Sequence, residues 1–274
     1  MQPEWRETLG YDYWQVDRTI RYCTPPQQWT RIEGRFDRAA ISSALEAAGH
    51  KPTRRRRDDP SRGQDGQSGN LQEPFTRYAL SRLNRVVLED GALSSSPQTA
   101  LAQAGIDAAA GRLLSFAADP EYAALTVALG PVVGAILTKP DLFYGAANLD
   151  CPTSTPTPSR TATGTPVVNR LPSYSRVGLG LRDDGKDHAM VIALVYADPE
   201  SARTAAAVVL RRVGEYRLTS NGQQLSERAA PDRAEVVTVG DRSVAVVSLK
   251  VLDEVSLSLW LRMYANRDYQ FLAL

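Results

Sequence analysis

Residues 190–214, MVIALVYADPESARTAAAVVLRRVG, constrain the fold more than any other stretch of the chain. The first seven are apolar without a break, the pattern of a central strand covered on both faces rather than an edge strand with one wet face. Asp198 then offers a carboxylate to the free N–H groups of a helical first turn. Pro199 stands where its missing N–H is harmless, and Glu200 faces the positive end of the helix dipole. Ala202, Ala205, Ala206, Val209, Leu210 and Val213 follow at spacings of three and four, which makes one apolar stripe. Arg211 and Arg212 suit the last turn, and Gly214 is read as a left-handed stop.

The same unit of strand, cap and helix recurs. Residues 30–36 alternate, with Ile32, Gly34 and Phe36 on one face and Arg31, Glu33 and Arg35 on the other. Asp37 caps a helix striped by Ala40, Ile41, Ala44, Leu45 and Ala48, and Gly49 ends it. A looser third copy spans residues 85–110: strands 85–89 and 92–94 flank the turn Asp90-Gly91, and Ser96 with Pro97 opens a helix. Asp119-Pro120-Glu121 opens a further helix with Tyr122, Leu125 and Leu129 inward, and residues 132–137 read as the strand that closes this lobe.

Elsewhere the pattern is weaker. Residues 8–22 read as a short helix with Thr8 as cap and Trp14, Val16 and Ile20 buried, stopped by Pro25-Pro26. Residues 51–73 read as a mobile loop, and 75–83 as a strand. Residues 152–166 are Ser, Thr or Pro at 12 of 15 positions, a linker composition. After it come a strand at 174–181, a polar turn at 183–187, and a polar loop at 219–232. A hairpin then crosses Gly240-Asp241, and a helix at 253–264 carries Val255, Leu259, Trp260 and Met263 on one face. The tail, residues 268–274, is apolar enough to dock.

Together these imply an α+β fold of two lobes, each a mixed or antiparallel sheet with helices packed on one face. The division expected is residues 1–150, a linker at 151–172, and residues 173–274. A Rossmann-like sheet is the alternative, disfavoured because hairpins occur in both halves and no glycine-rich phosphate loop follows a strand.

Function is much less legible. Thirty-two basic against 31 acidic residues leave a net charge of +1, so no global field gathers nucleic acid or anionic lipid. The two histidines, His50 after a helix-ending glycine and His188 before a strand, have no partner at metal-ligand spacing. No G-x-S-x-G elbow surrounds a serine. Gly178-Leu179-Gly180 resembles a dinucleotide fingerprint only in part, because the third glycine is misplaced. The acidic pairs Asp58-Asp59 and Asp183-Asp184 read as solvated loop residues. The arginine run Arg54, Arg55, Arg56 and Arg57 lacks the interleaved aromatics that stack on bases. Trp5, Trp14, Trp29 and Trp260 are spaced like core anchors. Cys23 and Cys151 are read as unpaired thiols, with one bridge between them the alternative. The longest apolar tract, residues 123–137, is broken by Gly130 and Pro131 and too short for a bilayer, so the chain reads as soluble. The sequence therefore names no catalytic residue, no cofactor-binding residue and no metal ligand.

The segments LGYDYWQVDRTI with the following Pro25-Pro26, EGRFDRAAISSALEAAGH, FAADPEYAALTVALG, LVYADPESARTAAAVVLRRV and the final NRDYQFL resemble a group of uncharacterised bacterial extracytoplasmic lipoproteins. The likeness covers most of the chain, with the arginine loop and the Ser/Thr/Pro tract as divergent insertions, and its motifs are structural. Such proteins typically begin with a lipoprotein signal and a lipidated cysteine. Neither precedes Gly10, where Glu4, Arg6 and Glu7 interrupt any apolar core. The resemblance implies an extracytoplasmic location, favoured over a cytoplasmic one. A complete scaffold without a catalytic set reads as a non-enzymatic binding or structural module whose protein or small-molecule partner is unknown. The alternative is a carboxylate-dependent hydrolase with its site between the lobes, and Asp198 is read as a helix cap rather than a catalytic acid.

Overall fold

The computed structural model describes residues 4–24, 27–52, 60–67, 72, 82–140, 170–183, 187–253, 259–266 and 268–273. The arginine run, Asp58-Asp59, Asp184, Val255, Cys151, the Ser/Thr/Pro tract and nearly all of the 75–83 strand lie outside these residues, as does the Cys23 side chain. The protein is α+β and forms two compact units, Met1–Ser115 and Phe116–Leu274. Each is built on its own sheet, one of six strands and one of five, and every strand pairing in both is antiparallel.

In the first unit, helix α1 (Glu4–Leu9) leads through a 3-10 turn into β1 (Val16–Thr24), which pairs with β2 (Gln27–Gly34). Residues 16–24 are thus an edge strand and not the expected helix. Trp14 and Ile20 stay 73% and 44% exposed. Val16, Thr19, Ile20 and Tyr22 are residues that favour an extended chain, and the ready partner β2 decides between the two periods. Asp37 caps α2 (Arg38–Ala47) through the N–H groups of Ala39 and Ala40, as its sequence demands. Lys51–Pro52 (β3) and Pro60–Ser61 (β4) pair with each other, and β4 pairs with β5 (Arg85–Glu89), so the supposed mobile loop supplies part of the sheet. β6 (Ala92–Ser96) completes the hairpin across Gly91, whose φ of 71° requires glycine.

The sheet order is β1-β2-β6-β5-β4-β3. One face carries Val86, Leu88 and Leu93 against Ile41 and Leu45 of α2. The opposite face receives α3 (Thr99–Ala109), whose Gly105 lies against the Trp29 indole. The N-terminus of α3 is not capped by Ser96. Asp65 reaches it from 34 residues away, accepting from Thr99 N at 3.0 Å and Thr99 Oγ1 at 2.8 Å.

In the second unit, α4 (Pro120–Leu129) is capped by Asp119 as expected. β7 (Gly134–Thr138) does not close the first lobe. It pairs with β8 (Arg176–Asp183), so the division falls at residue 115 and not at 150. β8 continues into β9 (His188–Tyr196), followed by α5 (Pro199–Glu215), β10 (Ala229–Val239), β11 (Arg242–Val251) and α6 (Leu259–Asn266). The order β10-β11-β9-β8-β7 puts the apolar run of β9 at the centre. Met190, Ile192 and Leu194 pack toward Ala202, Ala205 and Val209 of α5, while Val191, Ala193 and Val195 pack toward Leu125 and Leu129 of α4. Both sheets therefore carry helices on both faces rather than one. A strand apolar at every position needs cover on each side.

Gly214 does not stop α5, which runs to Glu215 with Gly214 inside the helix. Its carbonyl accepts from Gln224 Nε2 at 2.5 Å, so a side chain from beyond the helix end serves as the stop. The 219–232 segment is only partly loop, since β10 begins at Ala229. The recurrence of strand, Asp cap and helix is local: β2 lies next to an edge of its sheet and β9 at the centre of its own.

Candidate functional site

The glycines, the helix-capping aspartate and the histidines singled out in the sequence serve the fold. Gly178 and Gly180 are inside β8, where a β-carbon on Gly178 would lie 3.1 Å from Leu129 and one on Gly180 2.9 Å from Val132. They are glycines so that α4 and the chain entering β7 can lie close to the strand, not to cradle a phosphate. Asp198 accepts from Ser201 N at 2.7 Å, the expected cap. His188 Nδ1 lies 3.3 Å from Asp183 Oδ1, directly across the β8–β9 pairing.

His50 is buried, with Nδ1 3.1 Å from Leu45 O and Nε2 2.6 Å from Leu83 O. Burial pulls its pKa below the ordinary histidine value and outweighs the two carbonyls, which favour a proton on each nitrogen. Arg31 gathers two carboxylates, Glu33 and Glu89. Hydrogen bonds from Arg31, then Arg18, hold the Glu33 pKa low, which suits an ion-pair network across strands and not a general acid. Asp268, fully buried, accepts from Thr219 N and Oγ1, Ser220 N and the Tyr216 hydroxyl, and so fastens the C-terminal tail. Among the described residues no three His, Cys, Asp or Glu side chains gather as a metal site would require.

One surface is organised differently. Gly10, at φ 76°, packs against α2, where a β-carbon would come within 2.5 Å of Ala40 O. Its neighbours Leu9 and Tyr11 are buried, and the Tyr11 ring meets Phe36 edge-on at 5.2 Å. Burial pushes the Tyr11 hydroxyl up to about 12. The chain then turns through Asp12, Tyr13, Trp14 and Gln15.

That turn is locked by Gln15. Its Oε1 accepts from Asp12 N at 2.7 Å, its Nε2 donates to Arg35 O at 3.1 Å, and its carbonyl accepts from Arg35 N at 2.9 Å. Gly34, without a side chain, leaves room for the same carbonyl. Arg35 Nη2 also reaches Trp14 O at 3.4 Å. What this anchoring presents to water is a pair of aromatic rings: Tyr13 is 56% exposed and Trp14 73%, set edge to face at 5.7 Å.

Beside Trp14 lies an open cleft of about 430 Å³ lined by Arg6, Asp12, Trp14, Gln15 and Arg35. Gln15 is committed to the turn, and the Trp14 indole, the Arg6 and Arg35 guanidinium groups and the Asp12 carboxylate line the rest of the cleft. Arg35 Nε is 3.8 Å from Asp17. The lining holds no histidine, and Asp12 is its one carboxylate.

Sequence reasoning placed Trp14 in the core, and the structure overturns that. An exposed indole and a buried one have the same one-letter code. The D-x-x-Q spacing of Asp12 and Gln15 is a capping box that opens a new 3-10 turn there, breaking the expected continuous helix, but it carries no mark of the Trp14 exposure. Comparison of the chain with protein-family models, curated proteins and solved structures finds no match in any of the three.

Proposed function

We propose that the protein is a non-enzymatic extracytoplasmic binding module whose recognition surface is the Tyr13–Trp14 turn and its cleft. The observation that carries this reading is the pairing of rigid backbone support with unburied aromatic rings. Two large rings left in water forgo the stabilisation that burial would bring, about 1.5–3 kcal/mol for a large apolar side chain. Trp, Tyr and Arg are also the residues most enriched where binding energy concentrates, and all three converge here. The extracytoplasmic placement rests on the lipoprotein resemblance and the Ser/Thr/Pro tract. Among the described residues no helix is long and apolar enough to cross a membrane.

Two measurements test the reading. Fractionation of the bacterium that makes the protein is expected to find it in the envelope; a purely cytosolic pool contradicts the placement. A panel of chromogenic ester, glycoside, phosphate and peptide substrates is expected to show no turnover above a blank. Turnover that scales with chain concentration through successive purification steps would make it an enzyme.

A further inference from the structure

The groups that line the cleft narrow the chemistry of the ligand. We propose that the cleft binds a saccharide, with one pyranose ring laid on the Trp14 indole and its hydroxyls held by Asp12, Arg6 and Arg35. This inference rests on the binding reading above. A pyranose presents a face of C–H groups to an aromatic ring, while each hydroxyl at its edge both donates and accepts. The cleft answers both demands: an indole 73% exposed, a carboxylate that only accepts and two guanidinium groups that only donate. Planar carboxylate and guanidinium groups can each engage two neighbouring hydroxyls, which fixes the ring's orientation as well as its affinity.

Size and charge argue against other occupants. The cleft's 430 Å³ is at the lower end of small-molecule sites, which run to roughly 300–1,000 Å³. A stable protein partner needs about 800 Å² from each side with a dry apolar centre, and these five mostly polar residues offer no such centre. A nucleic acid needs cations along its phosphates, whereas Asp12 stands in the cleft and Asp17 lies beside Arg35. The Gln15 bonds hold the turn in place, so little ordering is required of Trp14 on binding.

Calorimetric titration of the full chain with short oligosaccharides of glucose, of N-acetylglucosamine and of galacturonate tests this. An aspartate-rich peptide and a single-stranded oligonucleotide serve as comparators. At least one oligosaccharide is expected to bind, and Trp14→Ala to weaken it about tenfold or more, equivalent to 1.4 kcal/mol. Trp14→Tyr should lose less, and the circular dichroism of both variants should match the parent because the ring is outside the core. A galacturonate ligand should depend most on Arg35→Gln, a neutral one most on Asp12→Asn. Saccharide binding that Trp14→Ala leaves unchanged overturns the site. Binding of the peptide or oligonucleotide alone, lost in Trp14→Ala, overturns the saccharide assignment and leaves the binding module standing. Binding of none of the probes overturns both.

Discussion

Replacing Asp268 by alanine should destabilise the second unit measurably, although the residue touches no candidate ligand. Its carboxylate is fully buried and accepts at 2.6 Å from both Thr219 N and Thr219 Oγ1, at 3.2 Å from Ser220 N and at 3.0 Å from the Tyr216 hydroxyl. The two hydroxyls can rotate, and Tyr216 has Gln270 as a second acceptor. The two backbone N–H groups have no such freedom. Thr219 and Ser220 are exposed residues, so water can reach the released N–H groups, and the loss is that of hydrogen bonds to a charged acceptor, roughly 1.5–3 kcal/mol. A loss of about 2 kcal/mol corresponds to roughly 4–8 °C in Tm for a unit of this size. Asp268→Asn keeps one acceptor oxygen but turns an amide N–H toward a donor, and should fall between the two.

The pH dependence has a definite sign. Burial raises the Asp268 pKa, but hydrogen bonds from Thr219 and Ser220 outweigh it and hold the group below the ordinary carboxylate value. Its contribution is therefore present above about pH 4 and lost as the pH falls through the lower folded value. Guanidinium denaturation followed by circular dichroism at pH 7 and at pH 3 measures both effects. A variant within about 0.5 kcal/mol of the parent at pH 7 would refute the claim that this carboxylate pins the tail.

Other expectations follow from single contacts. Gly105→Ala would drive a methyl into the rigid Trp29 indole, and overpacking of this kind costs about 1–3 kcal/mol, read by the same denaturation; an unchanged midpoint would show that Trp29 can move aside. Burial lowers the His50 pKa in the fold below its value in the unfolded chain. Stability should therefore decline as the pH drops below about 6.5, where the unfolded chain takes up the proton first, and His50→Gln should flatten that slope. Arg182 donates to Leu129 O at 2.7 Å and to Ala128 O at 3.0 Å, closing the C-terminus of α4. Arg182→Met should cost about 1–2 kcal/mol and raise amide hydrogen exchange in α4 ahead of β9.

Much of the fold was legible because its determinants are local. Asp37, Asp119 and Asp198 each stand immediately before a helix and accept from its first N–H groups, and Gly91 and Gly240 sit in turns that need positive φ. Seven apolar residues before Asp198 marked the centre of a sheet without naming its neighbours. What escaped depends on distant partners. β7 carries no mark of the strand it pairs with, 42 residues onward at Arg176 by its start, and Asp65 caps α3 from within a polar loop. Residues 16–24 suit either period until β2 lies alongside. Trp14 was misplaced for the same reason: its exposure follows from Gln15 bonding to Arg35, 20 residues away.

The central claim is that Trp14 is the recognition ring of this protein. Two-dimensional NMR of the indole N–H signals during titration with the tightest-binding oligosaccharide tests it directly, since the chain has four tryptophans. Trp29 packs on Gly105 and Trp260 is buried beside Gly134, so both should stay fixed while the Trp14 signal shifts and saturates with the calorimetric affinity. A Trp14 signal that holds still while the ligand binds and another indole responds would contradict the account.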